Sequence, residues 1–186
     1  KKILAISENG DLIGGGELSF IDLAAWLGKS GYSVFALVPS SGEVEKRLAA
    51  KGIRTETFHL PKMRPWYIFA VVRALTGGME LCRRNNIDII YANGTRACLY
   101  WGCIGRILGI PVVWHCRIAT REPVRDFILC HLCSCVVANS MATANRFRCR
   151  KEKIRLVYNG LDIEWLRNPL DARPAGVPPD ANIILV

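Results

Sequence analysis

Apolar runs of strand length alternate with longer segments of helical period along most of the chain, which predicts a parallel α/β sheet wound by helices on both faces. In the first unit, Lys2 to Ser7 predicts a strand, Asn9 to Gly16 a glycine-rich loop, and Glu17 to Lys29 a helix with Leu18, Ile21, Leu23, Ala24 and Leu27 on its buried side. Ser33 to Val38 follows as a strand, Glu43 to Lys51 as a helix and Thr55 to Phe58 as a weaker strand; Pro61 and Pro65 then interrupt the chain before a helix from Tyr67 to Asn85. The second half repeats the rhythm. Strands are predicted at Asp88 to Ala92, Val112 to His115, Cys135 to Ala138 and Ile154 to Val157, with helices at Thr95 to Leu108, Val124 to Leu132 and Met141 to Arg148 between them.

This order predicts a doubly wound, mainly parallel domain over residues 1–162. Such sheets bind ligands beyond the carboxyl ends of their strands, so the loops there are the place to look for chemistry. After Asp162 the texture changes to a polar, proline-rich stretch that runs into Ile183-Ile184-Leu185-Val186. Residues 163–186 therefore read as a linker and the first strand of a following domain, and the chain as a piece of something longer.

The 186 residues are 51% apolar and carry 25 Lys and Arg against 16 Asp and Glu, enough for a sizeable core and too apolar for a disordered chain. No apolar run reaches the length of a membrane span and no signal-peptide pattern opens the chain, so a soluble, unexported protein is expected. Its eight cysteines lie mostly in apolar segments, which reads as reduced thiols in a cytoplasmic protein; Cys130, His131, Cys133 and Cys135 lack the paired spacing of a zinc site, and no metal is expected. The excess positive charge lies wholly after residue 60, densest in Arg146, Arg148, Arg150, Lys151, Lys153 and Arg155. That cluster is either a solvated surface or a site for phosphate-bearing ligands or anionic membrane; no binding motif supports nucleic acid. Lys62 and Arg64, beside Met63, Trp66 and Tyr67, mark a second candidate membrane contact, unless the aromatics pack inward at the start of the next helix.

Candidate chemistry concentrates at strand ends. Gly14, Gly15, Gly16 and Glu17 sit where the first strand turns into a helix, and free amides there suit an anion. The match to a dinucleotide fingerprint is poor, since Ser19 stands at the third glycine position and no acidic residue ends the second strand. His115 closes the strand PVVWH with Arg117 two residues on; a neutral imidazole suits a sugar hydroxyl and a guanidinium suits phosphate or carboxylate. Asn93 and Arg96 flank another strand-to-helix junction, where a cation in the first turn opposes the helix dipole unless an anion offsets it. Ser140 has the place of a helix N-cap and would also point a hydroxyl toward the same cleft.

The order GGGE, YANGTRA, LGIPVVWHCR, VVANS and VYNGLD resembles the amino-terminal half of the large retaining glycosyltransferase family 4, whose members have the two-domain GT-B architecture of Rossmann-like sheets. The resemblance implies an acceptor-binding domain that works without a metal or cofactor, with a nucleotide-sugar as co-substrate held by a second domain and a glycan or lipid-linked acceptor as partner. By motif position it implies that Gly15 and Gly16 lie against the donor diphosphate, that His115 touches the donor sugar as the catalytic residue, that Arg96 and Arg117 face the acceptor, and that Asn159, Gly160 and Asp162 mark the hinge. The reduced cysteines and the basic and aromatic segments lead to the expectation of a cytoplasmic enzyme, with the inner face of the membrane as a candidate further partner. The alternatives are a sugar-nucleotide epimerase of the same architecture, against which the scarcity of carboxylates in the cleft loops counts, and a non-catalytic nucleotide- or membrane-binding module.

Overall fold

The computed structural model describes residues 1–62 and 64–160. Seven strands form one parallel sheet: β1 (Lys2–Ser7), β2 (Ser33–Val38), β3 (Arg54–Thr57), β4 (Ile89–Asn93), β5 (Val112–Cys116), β6 (Cys135–Ala138) and β7 (Ile154–Leu156). Six helices connect them: α1 (Gly15–Lys29), α2 (Glu43–Ala50), α3 (Ile68–Asn85), α4 (Thr95–Leu108), α5 (Pro123–Leu132) and α6 (Met141–Asn145). The strand order β3-β2-β1-β4-β5-β6-β7 makes β1 and β4 neighbours from which the chain departs in opposite directions. Their carboxyl ends are the topological switch point of a doubly wound, Rossmann-like α/β fold.

Apolar residues on both strand faces build two cores. Ile3, Ala5, Ala36 and Val38 pack with Phe20, Ile21 and Ala24 of α1 and with Val44 and Leu48 of α2. On the opposite face Leu4, Ile90 and Trp114 pack with Leu81 of α3, Trp101 and Ile104 of α4, and Leu129 of α5. Gly105 lets α4 lie directly on the sheet, because a Cβ there would come within 2.3 Å of Val112 Cγ2. Such close packing leaves the strand ends little freedom, and the site inherits their rigidity.

Several expectations need correction. Leu18 is 43% exposed, whereas Phe20 is fully buried: α1 begins two residues earlier than its apolar spacing suggested and presents a different stripe. The helix expected to run to Arg148 stops at Asn145, because Arg146 turns inward onto Asp126 of α5. Arg146 is therefore no part of a solvated cluster; its Nη1 also donates to the Ile118 carbonyl (2.6 Å), which ties down the loop after β5. Lys153 likewise donates to the carbonyls of Cys130 (2.8 Å) and Cys133 (2.7 Å), satisfying the end of α5. The aromatics at 66 and 67 do not pack inward: Trp66 is 69% exposed and Tyr67 is exposed beside it, in a 3₁₀ turn (Pro65–Tyr67) at the head of α3. No metal-binding group of His, Cys, Asp or Glu forms among the described residues, and no helix among them is long and apolar enough to cross a membrane. The expected boundary at Asp162 and the linker and strand at 163–186 lie outside the described residues.

Candidate active site

The carboxyl ends of β1, β4 and β5 meet around a cavity of about 90 Å³. Glu8, Gly16, Glu17, Asn93, His115 and Arg117 are among its lining residues. Parallel pairing places Ser7 beside Asn93 and Asn93 beside His115, so three successive strands deliver their last polar side chains to one place. His115 and Asn93 are each the penultimate or last residue of their strand, inside the ladder and hence rigidly held.

On the β1 side, α1 starts at the glycines. Glu17 accepts from the Gly14 amide (3.0 Å) and from Asn9 Nδ2 (2.7 Å), so this carboxylate braces the loop. No side chain caps the helix at Gly14, and a Cβ at Gly14 or Gly15 would meet open space. None of the described residues fills the room these glycines leave, and the positive end of the α1 dipole faces it.

The β4 side is different. Gly94 has a φ of 130°, and a Cβ there would strike the Glu8 carboxylate at 2.2 Å. Glu8 accepts from the amides of Arg96 and Ala97 (3.2 Å for the latter) and so caps α4 from a distant loop. Arg96 in turn sends Nη2 back to the Glu8 carbonyl (3.3 Å). The anion that its place in the first turn calls for is thus a side chain of the same chain. Burial pushes the Glu8 carboxyl above its usual range, and the two amides and the Arg96 charge offset part of that rise.

Arg117 crosses the cavity mouth. Its Nε donates to Asn93 Oδ1 (3.2 Å), Nη1 to Asn159 Oδ1 (3.0 Å) and Nη2 to Ser19 Oγ (3.2 Å), with Nη2 also 3.2 Å from His115 Nδ1. All of these acceptors are neutral, and Arg117 makes no ion pair among the described residues. A cation held only by neutral groups beside an open helix start is suited to a bound anion. His115 is 7% exposed; burial, then the Arg117 charge, lower its pKa to about 4, so the imidazole is neutral at physiological pH. Its Nδ1 meets the Tyr91 hydroxyl at 2.5 Å, and its Nε2 finds no partner among the described residues.

Of the residues expected at the site, the structure brings Gly16, Glu17, Asn93, His115 and Arg117 together at this cavity, with Gly14 and Gly15 at its edge and Asn159 reached through Arg117. Arg96 is joined to it through Glu8. Ser140 stands apart at the end of β6, where it caps α6 by accepting from the Thr143 amide (3.1 Å). Gly160 is exposed, and Asp162 lies outside the described residues. Glu8 and Tyr91 escaped the sequence reading. A single Glu one residue past a strand and a Tyr inside an apolar strand carry no spacing signal; only the sheet order reveals them.

The seven-stranded parallel sheet with a polar cavity at its switch point matches one half of solved two-domain, GT-B-type structures. The sequence profile of Glycosyltransferase Family 4 matches residues 13–165, and the chain belongs to that family. Among solved structures it is similar to Alr3699/HepE from Anabaena in complex with UDP-glucose (26% identity, TM-score 0.67, covering 88% of this chain and 45% of that one). It is also similar in fold to a glycosyltransferase from Rickettsia africae (17% identity, TM-score 0.73, 93% and 46%). A structure assigned as a UDP-N-acetylglucosamine 2-epimerase, from Listeria monocytogenes, shares the fold as well (12% identity, TM-score 0.63, 82% and 44%). The chain thus spans less than half the length of these structures. No curated protein sequence matches it.

Proposed function

We propose that this chain forms the acceptor-side wall of a retaining glycosyltransferase that moves a sugar from a nucleotide-sugar to a glycan or lipid-linked acceptor. The observation that carries this reading is the pairing, at one cavity, of a glycine-led helix start that has no N-cap side chain with Arg117, a cation that has only neutral partners among the described residues. Both favour the negative charge of a diphosphate, before reaction and as it builds on the leaving group. His115 offers a neutral imidazole to the sugar. The HepE complex with UDP-glucose supports the nucleotide-sugar as donor and co-substrate; no cofactor enters the reading. The cleft is less poor in carboxylates than the sequence suggested, since Glu8 joins Glu17 in lining it. Both are committed to backbone amides, which leaves the epimerase alternative without a ready proton-transfer group.

Transfer needs two reactants oriented between two walls, so residues 1–186 alone are expected to bind without transferring. In a chain that also carries the donor-side domain, His115→Ala should lower turnover 10- to 100-fold without unfolding the protein, equivalent to roughly 1.5–3 kcal/mol for a hydrogen bond made best in the transition state. A product assay against a panel of nucleotide-sugars reads this directly. Unchanged turnover in the variant, or transfer by residues 1–186 alone, would overturn the reading.

A cytoplasmic enzyme working on a lipid-linked acceptor would sit at the membrane surface, and the head of α3 supports that placement. Trp66, Tyr67, Ile68, Phe69 (87% exposed) and Val72 are exposed together, flanked by Lys62, Arg64 and Arg73, with the Arg64 guanidinium 5.5 Å from the Trp66 ring centre. The chain should co-sediment with anionic vesicles at low salt and be released as salt rises, and Phe69→Ser should weaken binding. Equal binding to neutral vesicles, or none to either, would remove the membrane from the account.

A further inference from the structure

The imidazole of His115 is oriented by two neighbours that leave it one protonation pattern. Tyr91 lies in β4 opposite Val113, a diagonal step from His115 on the same face of the sheet, and its hydroxyl reaches Nδ1 at 2.5 Å. The Tyr91 ring is itself fixed: it is buried, and it stacks on Phe20 of α1 with ring centres 6.1 Å apart. The second neighbour, Arg117 Nη2, stands 3.2 Å from the same nitrogen. A guanidinium has donors only. A proton on Nδ1 would set it against the Arg117 donor, so Nδ1 must carry the lone pair and accept from Tyr91 and, more weakly, from Arg117. The ring proton then belongs to Nε2, the buried atom that finds no partner among the described residues.

We infer that Tyr91 is a positioning residue which, together with Arg117, locks His115 as the Nε2–H tautomer and so makes His115 a hydrogen-bond donor to a substrate oxygen rather than a proton acceptor. The inference deepens the reading of His115 as a substrate-touching residue and rests on it for its role. With Nδ1 engaged by both neighbours and Nε2 already carrying a proton, the neutral ring presents no free lone pair to a substrate. The ligand group that completes the site is an oxygen acceptor, a sugar hydroxyl or a phosphate oxygen, and a reaction that starts by proton abstraction at His115 is excluded. Of the charged groups among the described residues, only Arg117 faces the ring. Glu8 and Glu17 line the same cavity, but they are held by the amides of Arg96, Ala97 and Gly14 and by Asn9.

The test is a long-range ¹H–¹⁵N spectrum of the imidazoles in the ligand-free chain, which has only three histidines, with His115→Asn to assign the signal. The wild type should show Nδ1 unprotonated and Nε2 protonated for His115, unchanged from pH 8 to pH 5. Tyr91→Phe, and more fully Tyr91→Phe with Arg117→Gln, should move both nitrogens toward tautomer-averaged positions and raise the titration midpoint by roughly one unit or more, since a hydrogen bond to the neutral ring and a repelling charge are removed. A wild-type ring protonated on Nδ1, or averaging between tautomers, overturns the inference, as does a folded double variant whose signals do not move. If the variants fail to fold, the wild-type spectrum still decides. Because no substrate is present, a locked tautomer together with a lack of sugar transfer by a chain that also carries the donor-side domain would refute the transferase reading and leave the lock standing; an active two-domain enzyme with a mixed tautomer would do the reverse.

Discussion

Two helices start at the same cavity from nearly the same local sequence, a strand, a glycine and a first turn, and they meet opposite fates. The start of α1 has no N-cap side chain, only Glu17 reaching back to the Gly14 amide, and open space beyond Gly14 and Gly15. The start of α4 is filled by Glu8, a carboxylate delivered from the end of the neighbouring strand. Both carry the same partial positive charge. What separates the open end from the closed one is therefore a residue outside either motif.

Breaking the closed end should have the largest effect on folding. Gly94→Ala puts a Cβ against the Glu8 carboxylate at a φ that L residues rarely adopt, and should cost roughly 2–4 kcal/mol in a denaturant melt. A cost below about 0.5 kcal/mol would mean that Glu8 is not held where the structure has it.

Between the two ends, His115 should give the protein a pH-dependent stability. Its folded pKa of about 4 lies below the ordinary value of 6.5, so its contribution is fully present above pH 6.5 and is lost as pH falls through 4. The loss is on the order of 3 kcal/mol at most, and His115→Asn should flatten that part of the stability curve. An unaltered curve would show that the imidazole titrates normally.

Removing the cap should matter less. Glu8→Ala leaves the Arg96 and Ala97 amides without their acceptor and should cost about 1–2 kcal/mol. Glu8→Gln keeps an acceptor, removes a buried charge whose carboxyl is already pushed up by desolvation, and should be close to neutral. If Glu8→Gln costs as much as Glu8→Ala, the carboxylate charge itself is essential and the account of a simple cap fails.

The alternation of strands and helices was plain in the sequence because parallel strands buried on both faces read as short apolar runs, and most element boundaries fall within a residue or two of expectation. The cavity's backbone was legible for the same reason: a glycine loop and strand-end polar residues at 93, 115 and 117 mark the ligand edge of such a sheet. Partnerships across the fold were not legible. Arg146 looked like one of six surface cations because its partner, Asp126, lies twenty residues upstream on another helix. Tyr91 looked like one more strand residue, and its bond to His115 depends on β4 and β5 being neighbours. Glu8 looked like a loop residue until β4 was placed beside β1.

The central claim is that a nucleotide-sugar's diphosphate lies against the open end and leaves the closed end alone. Titrating UDP-glucose into the ¹⁵N-labelled chain while following backbone amides tests it most directly. The account predicts saturable shifts at Gly15 and Gly16 and small ones at Arg96 and Ala97, with the shifts lost in Gly15→Leu, at a position where an added Cβ meets nothing within 4 Å. Shifts centred on Arg96 and Ala97, or a Gly15→Leu protein that binds as the wild type does, would contradict it.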